Sequence, residues 1–174
     1  DRSGSIAGVM FDVADYVVES LVVGSGVEVA GRISEYKGRL QITLERIVPT
    51  ELVELEEYLP TAKQPLAEME RALSEAIDAV ESGDLLRLLR AVFHGETLER
   101  FVRAPAAQHY HHACVGGLLE HTLCVMRLAL GACGIYPELD RDLLVTVALL
   151  HDLGKVWAYD PITFDFTEEG SLCT

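Results

Sequence analysis

The alternation of apolar and polar positions divides the chain near Pro49. Before Pro49, stretches rich in Ile and Val alternate in part, which predicts strands over residues 5–11, 27–35 and 39–48. One face of the third strand is expected to carry Leu40, Ile42, Leu44 and Ile47. The tripeptide Tyr36-Lys37-Gly38 predicts a tight hairpin with Gly38 in the left-handed conformation. Residues 12–22 fit either a short helix or an irregular crossover.

After Pro49, apolar residues recur at helical spacing. Pro65 marks a helix start and Gly83 a helix stop, while Asp84 and Asp140 are expected to cap helices. The predicted helices cover residues 51–59, 65–82, 85–93, 96–102, 113–133 and 139–157. Strands followed by helices predict an α+β chain. Three strands are few for a free-standing sheet, so we expect that a piece of the protein precedes residue 1.

Composition narrows the class of protein. The 174 residues suit one domain or two small ones, and 49% hydrophobic with 24% charged residues is typical of a globular chain. Uninterrupted apolar runs are only a few residues long, so we expect no membrane span and no membrane partner. No signal-peptide pattern opens the sequence. The four cysteines lie outside any CxxC spacing, which predicts reduced thiols packed as small apolar residues in a cytoplasmic protein; they are Cys114, Cys124, Cys133 and Cys173.

The formal net charge of −14 argues against a protein that grips nucleic acid over its whole surface, because phosphate binding needs Lys and Arg. The charge is uneven along the chain. Residues 1–50 carry 7 acidic and 5 basic side chains, residues 51–104 carry 12 and 6, and residues 105–174 carry 9 and 3. The first fifty residues are therefore the part least repelled by a polyanion.

The two long C-terminal helices carry the candidate chemistry. On a helical wheel of about 100° per residue, His121 falls in the apolar stripe and is expected to point inward with Leu128. His151 is expected inward above Val147, and Asp152 follows it. Two histidines and a carboxylate on consecutive helices are ligand types for a divalent metal.

Neighbouring residues extend this candidate site. Lys155 stands on the same side of the predicted helix, where a cation would hold a substrate phosphate, and Gly154 leaves room for it. A lone inward His is more often a hydrogen-bonded core residue, but the joint arrangement favours a metal site. His109-Tyr110-His111-His112 is either a polar loop or places His111 or His112 at the site.

Several motifs carry a family resemblance. Gly116-Gly117-Leu118-Leu119-Glu120-His121-Thr122 and Leu149-Leu150-His151-Asp152-Leu153-Gly154-Lys155 resemble the HD-domain metal-dependent phosphohydrolases. Together with His109-Tyr110-His111-His112-Ala113 and Phe166-Thr167-Glu168-Glu169-Gly170, they resemble the HD domain of YhaM-like 3′–5′ exoribonucleases. Residues 1–12, Gly31-Arg32-Ile33 and residues 36–41 resemble the OB-fold of the same family.

The resemblance implies a partial OB-fold β-barrel followed by an all-α HD-domain bundle. The implied domains are 1–50 (OB-fold-like, N-terminally incomplete), 51–104 (helical linker and start of the HD region) and 105–174 (HD domain, C-terminally incomplete). His121, His151 and Asp152 match metal-binding positions, and Lys155 matches a phosphate-contacting position. The family pattern continues with a further His and a closing Asp, which we expect beyond Thr174; a fragment like this one is expected to be inactive or to hold its ion weakly.

The nucleic-acid contacts implied for the OB part are less distinct. Arg32, Lys37 and Arg39 form a small basic edge, and a plain solvated hairpin explains them equally well. The ring candidates for base stacking are Tyr36, Phe11 and Tyr16.

The sequence therefore predicts metal-dependent phosphodiester hydrolysis, namely 3′–5′ exonucleolytic degradation of single-stranded RNA, with DNA left open. Manganese is the expected metal, with iron and magnesium as alternatives. His111 or His112 is expected to position the substrate or exchange a proton with the leaving group. Two other functions stay open: an HD phosphohydrolase acting on a nucleotide or cyclic dinucleotide, and a non-catalytic OB/HD binding module. Helices 51–102 either pack the two parts together or form a subunit contact, which leaves a homo-oligomer open.

Overall fold

The computed structural model describes residues 6–51, 57–109 and 111–172. The chain divides into two compact units, residues 1–59 and residues 60–174. Predictions that concern residues 1–5, the middle of the segment 51–59, Tyr110 and Cys173 lie outside the described residues.

The first unit is a three-stranded sheet with one short helix. In chain order its elements are β1 (Ala7–Val9), α1 (Asp15–Ser20), β2 (Gly26–Tyr36) and β3 (Arg39–Thr50). The strand order is β1-β3-β2, with β1 parallel and β2 antiparallel to β3. The three predicted strands are confirmed, and the segment 12–22 contains a short helix.

The register of β2 and β3 separates an apolar face from a polar face. Leu40, Ile42 and Leu44 pair with Glu35, Ile33 and Gly31, and after a bulge Ile47 pairs with Val29. Paired residues share a face, so the predicted apolar face of β3 is confirmed. The turn that joins the strands has Lys37 and Gly38 both at positive φ (50° and 74°), as two-residue hairpins prefer.

The second unit is helical. Its elements are α2 (Leu66–Asp78), α3 (Gly83–Val92), α4 (Gly95–Arg103), α5 (Gly117–Ile135), α6 (Arg141–Leu150), α7 (Lys155–Ala158) and α8 (Glu168–Leu172). The predicted cap at Asp140 is confirmed, because its carboxylate accepts the Leu143 N–H at 2.9 Å.

Three predicted boundaries are wrong. The helix predicted from residue 113 begins at Gly117, because Gly116 adopts a left-handed conformation (φ 78°) as the N-cap of α5. Gly83 begins α3 instead of ending α2, and Ser82 is the N-cap, so Asp84 lies in the first turn and pairs with Arg87. The predicted helix 139–157 breaks after Leu150 into a turn, and α7 begins at Lys155. The apolar spacing continues through the break and therefore did not reveal it. The backbone of the turn also stays close to helical angles at His151 and Gly154.

The core of the second unit forms around α5, which packs against α2, α4 and α6. Phe93 and Phe101 pack edge to face with ring centroids 4.9 Å apart. The largest fully buried side chains include Met69, Leu73, Leu89, Phe101, Leu118, Leu119, Leu123 and Leu149. Burial of this apolar surface is the main stabilising contribution to the unit.

The buried face of α5 differs from the predicted one. Its buried residues are Gly117, Leu118, Leu119, Thr122, Leu123 and Met126. Leu128 is 75% exposed, and Val147 on α6 is 54% exposed, so neither points inward as expected. The side chains of His121 and His151 are about one third exposed, at the edge of the core. Cys124 is exposed, whereas Cys114 and Cys133 are half-buried, and all three are free thiols. Apolar residues surround most of α5, so spacing alone did not identify the side that faces the core.

One helix among the described residues is long and apolar enough to cross a membrane. It is α5, whose 19 residues include two charged side chains, Glu120 and Arg127. The expectation of no membrane span rested on uninterrupted apolar runs and stays a prediction. Core helices of globular proteins pass the same test, and α5 packs its buried residues against three other helices.

Candidate metal centre

Helices α5 and α6 bring three predicted ligands together. The helices are joined by a short connection and pack on each other, so the start of α5 lies beside the end of α6. His121 lies in the second turn of α5, His151 caps α6, and Asp152 follows in the turn. The His121 and His151 Nε2 atoms are 3.3 Å apart, and Asp152 Oδ2 lies 3.3 Å from each of them.

The orientation of His151 fits metal binding. Its Nδ1–H donates to the carbonyl oxygen of Ala148 at 2.8 Å, which fixes the tautomer and leaves the Nε2 lone pair facing the other two ligands. Metal-binding histidines commonly donate their second ring N–H to a backbone carbonyl or a carboxylate in this way.

The protonation state of His121 is also compatible with metal binding. Burial lowers the pKa of His121 below its usual 6.5, and His151, Lys155 and His112 lower it further, against the raising effect of Asp152. A metal binds the neutral imidazole, so a lowered pKa keeps the ligand form available at neutral pH. The three ligand atoms all lie within 4.8 Å of one another. The donor set of two nitrogens and one oxygen therefore fits a divalent cation.

Lys155 lies at the same place. Its Nζ is 2.9 Å from Asp152 Oδ2, so the first turn of α7 delivers a cation to the edge of the three-ligand cluster. The predicted proximity of Lys155 to Asp152 is confirmed. An ammonium group at this position offsets the charge of an incoming phosphate.

His112 is the histidine of the preceding loop that the structure ties to this cluster. Its ring centroid lies 5.5 Å from that of His121, and its Nδ1–H donates to Glu120 Oε2 at 2.9 Å. Within the described part of the chain, His111 is exposed and makes no such contact.

Sequence reasoning missed Glu120. Its second oxygen accepts the Lys63 N–H at 3.1 Å, so the carboxylate links the start of the unit to the His112 loop. The loop approaches α5 closely, since a Cβ on Gly117 would lie 2.0 Å from the His112 carbonyl oxygen. The sequence signal that would have identified it is its position directly before His121, with a glycine pair upstream.

The hairpin of the first unit that carries Arg32, Lys37 and Arg39 (the basic hairpin) is more exposed to solvent than the candidate metal centre. The register places Arg32, Tyr36 and Arg39 on the polar face of the sheet. Arg32 Nε lies 2.9 Å from Glu45 Oε1, so its charge is offset locally. Lys37 Nζ lies 5.3 Å from the centroid of the Tyr36 ring, which is 60% exposed. The other ring candidates, Phe11 and Tyr16, are also exposed.

Comparison with known families matches both units. An HD domain model matches residues 118–171, and an OB-fold nucleic acid binding domain model matches residues 1–50. The first unit is therefore similar to an OB-fold nucleic acid binding domain, and the second unit is similar to an HD domain. The HD match contains His121, His151, Asp152 and Lys155, and an HD domain with this ligand set implies dependence on a divalent metal.

Particular relatives are similar over nearly the whole chain. The chain is 34% identical over 176 residues to the 3′-5′ exoribonuclease YhaM of Bacillus subtilis (strain 168), and 35% identical to that of Bacillus licheniformis. Each alignment covers 99% of this chain and 56% of the relative, so the chain spans a little over half the length of these curated proteins. No solved structure matches the chain.

Proposed function

We propose that the protein hydrolyses phosphodiester bonds of single-stranded nucleic acid from the 3′ end, with RNA as the preferred substrate and a divalent metal as cofactor. The observation that carries this proposal is the convergence of the His121, His151 and Asp152 ligand atoms within 4.8 Å. The similarity to proteins named 3′-5′ exoribonuclease supports the direction of degradation and the substrate class.

The chain's own residues have separate tasks in this proposal. His121, His151 and Asp152 hold the ion, which when bound supplies Lewis acidity and a more acidic water. Lys155 neutralises charge on the phosphate oxygens. His112, with Nδ1–H held by Glu120, presents its Nε2 lone pair and holds or accepts a proton at that atom.

Manganese is the proposed metal, with iron and magnesium as alternatives. The two imidazole nitrogens make the site less suitable for magnesium, which prefers oxygen ligands. The carboxylate favours a harder ion than a site made of thiolates would bind. The proposed location is the cytoplasm, supported by the free thiols of Cys114, Cys124 and Cys133.

The first unit is proposed to guide the strand toward the second. Tyr36 offers a ring for base stacking, and Lys37 and Arg39 offer charge to the backbone phosphates. Residues 1–50 carry 7 acidic and 5 basic side chains, and the rest of the chain is more acidic. This charge distribution supports the assignment of the nucleic-acid contacts to the first unit.

The test is 3′–5′ shortening of a 5′-labelled single-stranded RNA by the full-length protein in the presence of Mn²⁺. We expect His151→Ala and Asp152→Asn to abolish shortening without changing the thermal unfolding midpoint by more than a few degrees. His94→Ala and Asp84→Asn change exposed residues of the same unit and are expected to leave the activity intact. Mn²⁺-dependent shortening that persists in either site variant would refute the assignment.

A nucleotide or cyclic dinucleotide phosphohydrolase is the second candidate function. It is favoured by the charge of residues 105–174, 9 acidic against 3 basic side chains, which repels a long polyanion more than a small substrate. A panel of nucleotides assayed beside the RNA ladder separates the two candidates. A third, non-catalytic binding module predicts no stoichiometric metal in the purified protein.

A further inference from the structure

A cavity of about 330 Å³ opens directly beside the candidate metal centre. His151, Asp152 and Lys155 contribute to its lining, and so do Tyr159, Phe166 and Glu169 from the segment that follows α7. Small-ligand pockets occupy about 300–1,000 Å³, so this cavity has room for one nucleotide-sized molecule. The Phe166-Thr167-Glu168-Glu169-Gly170 motif thus faces the site without a role in the chemistry described so far.

The cavity carries a flat aromatic surface. Tyr159 and Phe166 form an antiparallel bridge, and their rings stack with centroids 4.9 Å apart at an interplanar angle of 28°. Tyr159 thus occupies one side of the Phe166 ring, while Phe166 remains 39% exposed. A planar base adds to such a stack, because every nucleobase has a π-face.

The loop that carries this ring pair is held firmly. Asp160 Oδ1 accepts the N–H groups of Ile162 at 2.9 Å and Thr163 at 2.8 Å. The Asp160 N–H donates to the Asp165 carbonyl at 2.8 Å, which closes the loop at its base. The buried Phe164 side chain anchors its tip. A surface ordered in advance loses less entropy when it binds a ligand.

Contacts of Thr167 and Gly170, on either side of Glu169 in the sequence, fix the backbone that carries Glu169. The Thr167 N–H donates to the Ala158 carbonyl at 3.0 Å, and the Thr167 hydroxyl donates to the Trp157 carbonyl at 2.7 Å. Gly170 lies so close that a Cβ there would be 2.1 Å from the Ala158 carbonyl oxygen. A carboxylate repels phosphate, but it accepts hydrogen bonds from ribose hydroxyls, as acidic residues do in dinucleotide sites.

We propose that this cavity binds the terminal nucleoside of the nucleic acid, with its base stacked on Phe166 and its ribose hydroxyls donating to Glu169. The phosphate of that nucleoside then lies toward Lys155 and the candidate metal ligands. The proposal rests on the proposed function and adds to it the residues that recognise the terminal nucleotide and distinguish ribose from deoxyribose.

The test measures binding and not turnover. Isothermal titration of the metal-free full chain with AMP, 2′-deoxy-AMP and ribose 5-phosphate gives the affinity for base, sugar and phosphate separately. Phe166→Ala is expected to weaken AMP about ten-fold or more and to leave ribose 5-phosphate unchanged. Phe166→Tyr should retain AMP affinity, because it keeps the ring. Tyr136→Ala removes an exposed ring at the end of α5 and is the matched control.

Glu169→Gln tests the sugar contact. The wild-type chain is expected to prefer AMP over 2′-deoxy-AMP, and the variant should lose that preference. AMP affinity that is unchanged in Phe166→Ala, or ribose 5-phosphate that binds the wild-type chain as tightly as AMP, would overturn the nucleoside pocket. An unchanged sugar preference in Glu169→Gln would overturn the ribose contact.

Failure of this inference differs from failure of the proposed function. A chain that shortens RNA but binds AMP independently of Phe166 refutes the pocket alone. A full-length protein that binds AMP through Phe166 but hydrolyses no RNA supports the pocket and refutes the exonuclease.

Discussion

The candidate metal centre and the basic hairpin contain similar polar groups, but they hold them in different ways. At the metal centre, His151 is fixed by a backbone carbonyl, and Asp152 lies within 3.3 Å of two histidines and a lysine. At the hairpin, Tyr36 is 60% exposed, and Arg32 pairs with a glutamate across the strands. Fixed, partly buried groups suit chemistry that depends on geometry, whereas exposed charges suit contacts that tolerate many sequences.

The largest effect that sharpens this comparison is expected at Glu120. Glu120→Gln weakens the hydrogen bond that orients His112, so we expect hydrolysis of RNA to fall about 10- to 100-fold with little change in KM. Glu138→Gln, a change at an exposed glutamate after α5, is the control. Equal rates for Glu120→Gln and the wild-type chain would show that the orientation of His112 is irrelevant.

At the hairpin we expect a smaller effect of a different kind. Lys37→Ala and Arg39→Ala should each weaken binding of single-stranded RNA a few-fold and reduce the salt dependence of binding. Arg32→Ala is expected to change binding less, because Glu45 already offsets its charge. Fluorescence anisotropy at several salt concentrations measures both quantities. If the salt dependence of binding in all three variants equals that of the wild-type chain, the hairpin is not part of the nucleic-acid interface.

The smallest effect is expected at Asp160, a carboxylate whose partners are the backbone N–H groups of its own loop. Burial alone would raise the pKa of Asp160, but hydrogen bonds from Thr163 and Ile162 outweigh it and lower the pKa below 3.8. A carboxyl group with a lowered pKa stabilises the fold above its unfolded pKa, and this contribution is lost as pH falls through the folded pKa.

Asp160→Asn should therefore lower the free energy of unfolding by about 1 kcal/mol or less at pH 7, since the group is partly screened by solvent. Thermal unfolding as a function of pH should show this difference shrinking below about pH 4. A difference that stays constant down to pH 2 would contradict the assigned role of the carboxylate.

Local patterns in the sequence predicted the parts of the molecule that depend on a few neighbouring residues. Lys37-Gly38 defines the hairpin, alternation defines the apolar face of β3, and Asp140 caps α6. The proximity of the candidate metal ligands was predictable as well, because His121 lies on α5, His151-Asp152 directly follow α6, and the short connection places these two helices side by side.

The remaining features depend on contacts that spacing does not encode. Apolar residues occur around most of α5, so the wheel placed Leu128 inside when it is exposed. Glu120 looks like an ordinary exposed charge until the His112 loop, with its positive φ of 65°, brings an imidazole to it. The break after Leu150 leaves the helical spacing intact and is therefore invisible in the apolar pattern.

The most direct test of the account is calorimetric titration of the chelator-treated chain with Mn²⁺. We predict one Mn²⁺ site per chain, and we predict that Asp152→Asn weakens binding about 100-fold or more while Asp84→Asn leaves it unchanged. Binding of Mn²⁺ with the same stoichiometry and affinity in Asp152→Asn as in the wild-type chain would contradict the claim that His121, His151 and Asp152 share an ion.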